Sequence, residues 1–410
     1  MKAVVFTLGC KVNECESNSL IRGLVERGYD VSDKLEYADL YIVNTCAVTK
    51  EAEKKSRQTV SRIKKFNENA KIIFTGCATQ CSPKKFIEKC PDGLVTGTFN
   101  KGAILDMLDK SGVVIEKDQT EFEELAPVKS LRTRTFVKVQ DGCNNFCSYC
   151  IIPYLRGRNR SRNPENVINE IKGINPLEAV ITGINLSAYD FDGQGLKGLI
   201  KGLKDVDCRI RLGSLEVNVI DDEFLSTLKE LKNFARHFHL SLQSGSDNVL
   251  KKMNRRYTAK EFLDKVNLIR KYFPDAGITT DIIVGFPTET EQDFIDTLNL
   301  VDEVKFSDIH PFIFSPREGT VAYKMPDLEY SVKKRRLDVL MEKKKECRER
   351  FIKENVGTTQ EMLIEESING YLEGYSGSYI RLYMKDQNIN GIKRVKLISP
   401  FKDGVLCEII

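Results

Sequence analysis

Three cysteines stand close enough in the chain to act together. Cys143, Cys147 and Cys150 follow a C-x3-C-x2-C spacing in the stretch VQDGCNNFCSYCIIPYLRGRNRSR, residues 139–162. Three thiolates in one short loop can ligate three irons of a cubane cluster and leave the fourth iron without a protein ligand. An open position of that kind marks a reactive metal site, as it does for zinc. The plainer alternatives are a zinc knuckle completed by a distant ligand, or buried thiols with no common role. The spacing favours the cluster, because zinc sites usually show paired Cys or Cys/His sets. Thr135–Val139 reads as a strand, and it delivers the chain into this Gly/Asn-rich loop.

A second set of thiols comes together only if the N-terminal region folds as its pattern suggests. Ala3–Thr7, Asp39–Asn44 and Lys71–Thr75 read as buried parallel strands. Helices near Glu16–Arg27 and Lys50–Phe66 lie between them, which predicts a small parallel α/β domain over residues 1–125. Cys10, Cys46 and Cys77 each follow the C-terminal end of one strand, the edge at which open α/β sheets place ligand sites. Though far apart in sequence, the three could converge as metal ligands. Cys81 is the rival third ligand, and Cys15 and Cys90 fall in helices or connections. Buried cysteines also serve as small core hydrophobes.

The central region, residues 130–350, repeats strands and helices at near-regular spacing. Strands are expected at Thr135–Val139, Ala179–Gly183, Arg209–Gly213, Phe238–Leu242, Ile278–Val284 and Ile309–Phe314. The intervening helices are Pro164–Lys172, Leu196–Leu203, Asp222–Leu231, Ala259–Tyr272 and Glu289–Val304. Six βα units predict an open, partial (β/α)6 barrel. Working residues of such barrels sit at the C-terminal strand ends. That rule selects Thr182, Gly183, Ser214, Glu216 and Gln243 as cofactor-binding candidates, with loop capping as the alternative for each. Ser244 and Gly285 occupy similar places. The three histidines, His237, His239 and His310, flank strands and read as packing or hydrogen-bonding groups.

Basic charge is unevenly placed. Arg156, Arg158, Arg160 and Arg162 alternate just after the cysteine loop, and in an extended backbone they would line one edge of the site. Such a row suits phosphate contacts, although one of them could instead meet a cofactor or an acidic neighbour. Lys251–Arg256, Lys333–Arg336 and Lys343–Lys345 form further runs. Residues 117–132 read as a linker.

The last region, residues 354–410, follows Gly357 with short strands at Glu361–Glu365, Tyr379–Met384, Ile392–Ile398 and Gly404–Ile410. They suggest a small antiparallel barrel. Tyr371, Tyr375, Tyr379 and Tyr383 lie beside Arg381 and Lys385, a composition suited to base stacking or to ordinary packing.

The whole chain sets outer bounds. At 410 residues two or three domains are expected, and 41% apolar residues exclude disorder. A net charge of +4 does not by itself argue for nucleic acid. Twelve cysteines without a secretory signal argue for a reducing, cytoplasmic setting, where thiols serve metals or chemistry. No segment reaches the ~20 apolar residues of a membrane span.

The cysteine loop, with Tyr149 before its last thiol, resembles that of the radical S-adenosylmethionine (SAM) enzymes. In that family the open iron chelates SAM, and an electron from the cluster cleaves it to methionine and a 5′-deoxyadenosyl radical. TLGCKVNECES, NTCAVT and TGCATQC resemble the N-terminal domain of the methylthiotransferases, which carry a second 4Fe–4S cluster on one cysteine from each word. The resemblance implies ligation by Cys10, Cys46 and Cys77 alongside Cys143, Cys147 and Cys150. TGINLSAYD, LGSLEVN, HLSLQSGSDNVL and TTDIIVGFPTET resemble words that shape the family's SAM pocket, and the GVLCE ending resembles the RNA-binding TRAM domain. LGCKVN and NTCAVT look most like the tRNA threonylcarbamoyladenosine branch. The implied activity is 2-methylthiolation of N6-threonylcarbamoyladenosine at position 37, in the anticodon loop of tRNA. It implies two clusters, SAM, an electron donor and a sulfur source. Isopentenyladenosine in tRNA and a ribosomal-protein aspartate are the alternative substrates. A zinc-stapled RNA-binding protein is the non-enzymatic alternative.

Overall fold

The computed structural model describes residues 1–127, 133–385 and 388–410. Residues 128–132, which end the expected linker and begin the expected central domain, lie outside the described residues. The first sheet is six-stranded and wholly parallel, in the order Asp30–Ser32, Lys2–Thr7, Leu40–Thr45, Lys71–Gly76, Leu94–Thr96, Gly112–Val114. Its strands are apolar on both faces because helices cover both. Ala3, Val5, Ile42 and Ile73 pack against Leu20, Ile21 and Leu24 of the helix Lys11–Glu26. Their neighbours Val4, Tyr41, Val43 and Phe74 pack against Val60 and Ile63 of Lys50–Phe66. The first helix begins at Lys11 rather than Glu16. Its opening turn carries no apolar periodicity, because that turn faces the cysteines and not the core.

Six consecutive parallel strands then curve into an open crescent. Arg134–Asp141, Glu178–Gly183 and Arg209–Leu212 pair in one sheet, and Ser214–Leu215, His237–Gln243, Gly277–Val284 and Asp308–Ile313 pair in the other. Arg209–Leu212 and Ser214–Leu215 are one strand interrupted at Gly213, whose N–H bonds the carbonyl of Ile181 at 2.8 Å. The interruption lets the strand hand over from one neighbour to the next, so the two sheets continue each other. A core of inward strand residues and helix faces, among them Val139, Ile181, Leu212, Leu240, Phe224 and Phe262, fills the space between crescent and helices.

The 26-residue helix Tyr330–Asn355 packs along Asp308–Ile313 and leads into a closed five-stranded barrel. One of that barrel's strands, Tyr371–Ser376, is absent from the sequence expectation. Its Gly374 reads as a turn signal, yet glycine is required there: a Cβ would lie 1.9 Å from the carbonyl oxygen of Leu363. The tyrosines are committed mainly to internal packing. Tyr383 is buried with its hydroxyl on Asp403. Tyr379 stacks on Tyr375 at 4.8 Å and on His237 of the crescent at 4.7 Å, with the Arg211 guanidinium over its ring. These rings join two domains, so they are not free platforms for bases.

Candidate active site

The parallel register of the first sheet brings three loops together. Thr7 pairs with Asn44, Asn44 with Thr75 and Thr45 with Gly76, so the residues just beyond them emerge side by side. Cys10 precedes the first helix, Cys46 follows Leu40–Thr45, and Cys77 opens the short helix Cys77–Cys81. Gly9, at φ +113°, allows the close approach, since a Cβ would lie 3.1 Å from Cys46 Sγ. Asn13 ties two of the loops by donating to the carbonyls of Leu8 (2.8 Å) and Thr45 (3.1 Å). Burial pushes the Cys46 thiol up to about 12, and neighbouring Cys77 and Cys10 push in the same direction. Cys77 is raised by burial too, against the pull of Arg156. Cys81 points to another partner, the Arg317 guanidinium at 3.9 Å, and Cys15 bonds the Phe136 carbonyl at 3.3 Å.

Behind this triad lies a buried charge network. Glu16 receives Arg156 at 2.8 Å, Lys138 at 3.1 Å and Lys101 at 3.7 Å. Asp141 receives Lys138 at 2.6 Å and Arg156 at 3.1 Å. Burial alone would raise the Glu16 carboxyl, but Arg156, Lys138 and Lys101 hold it well below the usual carboxylate range. Lys101, Lys138 and Arg156 against Glu16 and Asp141 leave an uncompensated positive charge, and Arg156 Nε points at Cys77 Sγ from 3.3 Å. A thiolate there would balance it.

The second triad is held by one continuous loop. After Arg134–Asp141 the chain turns at Gly142 (φ +70°), where a Cβ would lie 1.9 Å from the Arg158 carbonyl oxygen. Cys143 Sγ accepts from the Asn145 N–H (3.5 Å) and from Asn185 Nδ2 (3.7 Å). Cys147 Sγ accepts from Arg255 Nη1 at 3.4 Å. Cys150 is pushed up to about 12 by burial, and then by Cys147 and Cys143. Tyr149 packs beside Met253, Phe286 and Phe314.

Both sets of thiols fit iron–sulfur ligation by their donor chemistry. Each sulfur set is gathered; Cys46, Cys77 and Cys147 are buried while Cys10 is exposed, and N–H donors that favour the thiolate meet Cys77, Cys143 and Cys147, as ligand-supporting groups do. Among the described residues, no three His, Cys, Asp or Glu side chains are gathered tightly enough to hold a single metal ion. The thiols around a cubane stand further apart than those around one ion.

The five cofactor candidates divide. Glu216 joins the cysteine loop directly, accepting from Asn145 Nδ2 at 2.7 Å and pairing with Arg255 at 2.8 Å. Gly183 lets the strand end approach Gln140, for a Cβ would lie 2.7 Å from its side-chain oxygen. Gln243 sits at a bulge with φ +69°. Thr182 is buried opposite Lys138. Ser214 faces a separate cavity beside Cys10.

The expected arginine row does not exist as an edge. Arg156 ends the helix Ile152–Arg156, so the backbone there is not extended, and its side chain is fully buried. Arg162 is buried against Glu124 and Glu170, and Arg160 caps the carbonyls of Arg156 and Arg158, each at 2.9 Å. Arg158 alone is exposed, over the Phe146 ring at 4.7 Å. The other runs divide in the same way. Arg255, Lys333 and Arg336 turn inward to Glu216, Asp327 and Glu289. Arg255 was missed as a site residue because its sequence neighbours Lys251 and Arg256 are ordinary exposed cations.

Residues 137–301 match the Radical SAM superfamily, and residues 2–97 match a family described as Uncharacterized protein family UPF0004. The chain is similar to a threonylcarbamoyladenosine tRNA methylthiotransferase, MtaB, of Thermotoga maritima, at 40% identity across 99% of this chain and 96% of that relative. It is also similar to a tRNA-2-methylthio-N(6)-dimethylallyladenosine synthase of Clostridium novyi, at 38% identity across 88% of this chain and 85% of that relative. Among solved structures, the radical SAM methyltransferase TsrM of Kitasatospora setae, with cobalamin and a 4Fe–4S cluster bound, has a TM-score of 0.56 at 13% identity. That match covers 76% of this chain and 74% of TsrM, a likeness of fold.

Proposed function

The chain belongs to the radical SAM methylthiotransferases, and from that premise we propose that it converts N6-threonylcarbamoyladenosine at position 37 of tRNA to its 2-methylthio derivative. The observation that carries the substrate is the end-to-end likeness to the Thermotoga maritima enzyme, supported by the words around Cys10 and Cys46. Cys143, Cys147 and Cys150 hold the cluster that engages SAM, and Cys10, Cys46 and Cys77 hold the second cluster. Bound there, the two clusters and SAM supply the one-electron chemistry and the sulfur that an unreactive aromatic C–H requires.

This chain's own residues position and insulate. Glu216, anchored by Asn145 and Arg255, ties the crescent to the cysteine loop, and with Thr182, Gly183 and Gln243 it forms the SAM-facing strand ends, while Ser214 lines the neighbouring cavity beside Cys10. Arg255 and Arg156 each direct an N–H at a ligand sulfur and stabilise its charge. The functional units are residues 1–125, 130–350 and 354–410, the last a TRAM-like RNA-binding barrel. Arg158, Lys251 and Arg256 remain exposed near the cysteine loop for phosphate contacts. No helix among the described residues is long and apolar enough to cross a membrane. The enzyme works in the cytoplasm, with an electron donor and a sulfur source as partners.

Mass spectrometry of tRNA nucleosides from a strain lacking this gene tests the reading. The 2-methylthio-threonylcarbamoyl nucleoside should vanish while its unthiolated precursor accumulates. Loss of the 2-methylthio-dimethylallyl nucleoside instead would reassign the substrate. A colourless, zinc-containing protein after anaerobic reconstitution with iron and sulfide would remove the enzymatic reading altogether.

A further inference from the structure

A cavity of about 470 Å³ opens between the Cys10 loop, the inner face of the crescent and Tyr379 of the C-terminal barrel. That volume falls in the range of small-ligand sites, roughly 300–1,000 Å³. Its wall contains every histidine of the chain, His237, His239 and His310, which read in the sequence as packing or hydrogen-bonding groups. Arg134 and Arg211 contribute guanidinium groups that are already oriented, the first by Glu365 and the second by Glu178. His239 is likewise fixed, between Thr279 Oγ1 at 2.9 Å and Asp281 Oδ2 at 3.2 Å.

Lys11 is the exception. It directly follows Cys10, lines the same cavity and, among the described residues, has no ion-pair partner within reach. Glu14 is the carboxylate that shares this wall; the two arginines and His239 already have carboxylate partners, and burial pushes the His237 and His310 imidazoles towards the neutral form. The cation left over in this wall is therefore the Lys11 ammonium. A dimethylallyl substituent would bring only methyl groups to Lys11 and leave it unpaired. A threonylcarbamoyl substituent brings a carboxylate, a hydroxyl and a urea-like group.

We propose that this cavity receives the amino-acid end of the modified adenosine, and that Lys11 pairs with its carboxylate. This assignment rests on the proposed function and deepens it. Lys11 is the specificity-determining residue, and the imidazoles of His239 and His310 flank the same end. Cys10, in the same wall, makes the subsite continuous with the first cysteine triad.

The test measures binding of anticodon stem-loop RNAs to the anaerobically reconstituted protein. The RNAs carry threonylcarbamoyladenosine, its carboxamide analogue or plain adenosine. The native protein should bind the carboxylate form at least about tenfold tighter than the carboxamide, the size of one charge-assisted hydrogen bond. Lys11→Met should erase that preference and leave affinity for the plain loop unchanged, and Lys11→Arg should restore it in part. Equal binding of acid and carboxamide by the native protein would overturn the proposal without using any variant. So would a Lys11→Met protein of normal iron content that keeps the preference. Failure of the function itself would look different: the native protein would methylthiolate dimethylallyladenosine RNA and leave threonylcarbamoyladenosine RNA untouched.

Discussion

The two cysteine triads solve one problem by opposite means. Cys143, Cys147 and Cys150 come from one loop, closed by Gly142 and by the chain's return at Arg158, so they are brought together by chain continuity, with Asn254 holding the loop from outside. Cys10, Cys46 and Cys77 come from three loops of a parallel sheet and meet only because the strands pair in register. The surroundings differ accordingly. One arginine on a single carboxylate backs the loop triad, through Arg255 and Glu216. A buried five-residue network backs the sheet triad, and its key member, Arg156, belongs to the other domain. A site assembled from distant pieces needs distant pieces to hold it.

The largest expected effects break that comparison into two functions. Cys147→Ala should abolish reductive SAM cleavage, measured as 5′-deoxyadenosine, and with it all modification. Cys46→Ala should keep SAM cleavage and yield no 2-methylthio product. If Cys46→Ala protein methylthiolates tRNA at the normal rate, the two triads do not divide the chemistry as argued.

The same contrast explains what could be read in the chain. The loop triad is legible because its ligands are neighbours, and the strands that flank both triads are legible because their apolar runs are long. Cys10, Cys46 and Cys77 needed the fold as an intermediate step. The roles of Arg156 and Arg255 were not legible. An arginine that faces water and one that meets Glu16 from 140 residues away are written identically. The inward turn of His237, His239 and His310 is hidden for the same reason, since a strand residue's face depends on which domain covers it.

Arg156→Ala should cost about 3–5 kcal/mol, because the buried Glu16 and Asp141 would lose one of their two shared cations and keep only Lys138 between them. Arg255→Ala should cost about 1–3 kcal/mol, since it frees one half-buried carboxylate. Urea-denaturation midpoints give the ranking, and iron analysis should show the Arg156 variant deficient at the sheet triad. Equal effects would mean that the network is incidental.

A buried charge cluster that bonds no cysteine of either triad provides the control. Glu178 lies between Arg209 and Arg211, which also bond backbone carbonyls of the C-terminal barrel. Burial would raise its carboxyl, but Arg211 and Arg209 outweigh that and hold it at about 2, against a usual 4.5. A depressed folded value means the stabilisation is complete above the usual value and is lost as pH falls from 4.5 towards 2. Its size is about 3 kcal/mol by proton linkage. Glu178→Gln should remove that part of the acid-unfolding slope and leave iron content at neutral pH unchanged.

The smallest effects separate the two glycines that close the loops. Alanine in a left-handed backbone costs roughly 1–2 kcal/mol at either position. Gly142→Ala adds a clash with backbone, at 1.9 Å from the Arg158 carbonyl oxygen, so the loop around Cys143 must open. Gly9→Ala meets the Cys46 side chain at 3.0 Å, which can yield by a few tenths of an ångström. Iron retained by Gly142→Ala in a Cys46→Ala background reports on the loop triad. Iron retained by Gly9→Ala in a Cys147→Ala background reports on the sheet triad. The first should fall further than the second, because a clash with backbone moves the loop itself, whereas a contact with a side chain is relieved by that side chain. The reverse order would mean that register, and not the turn, is the more fragile device.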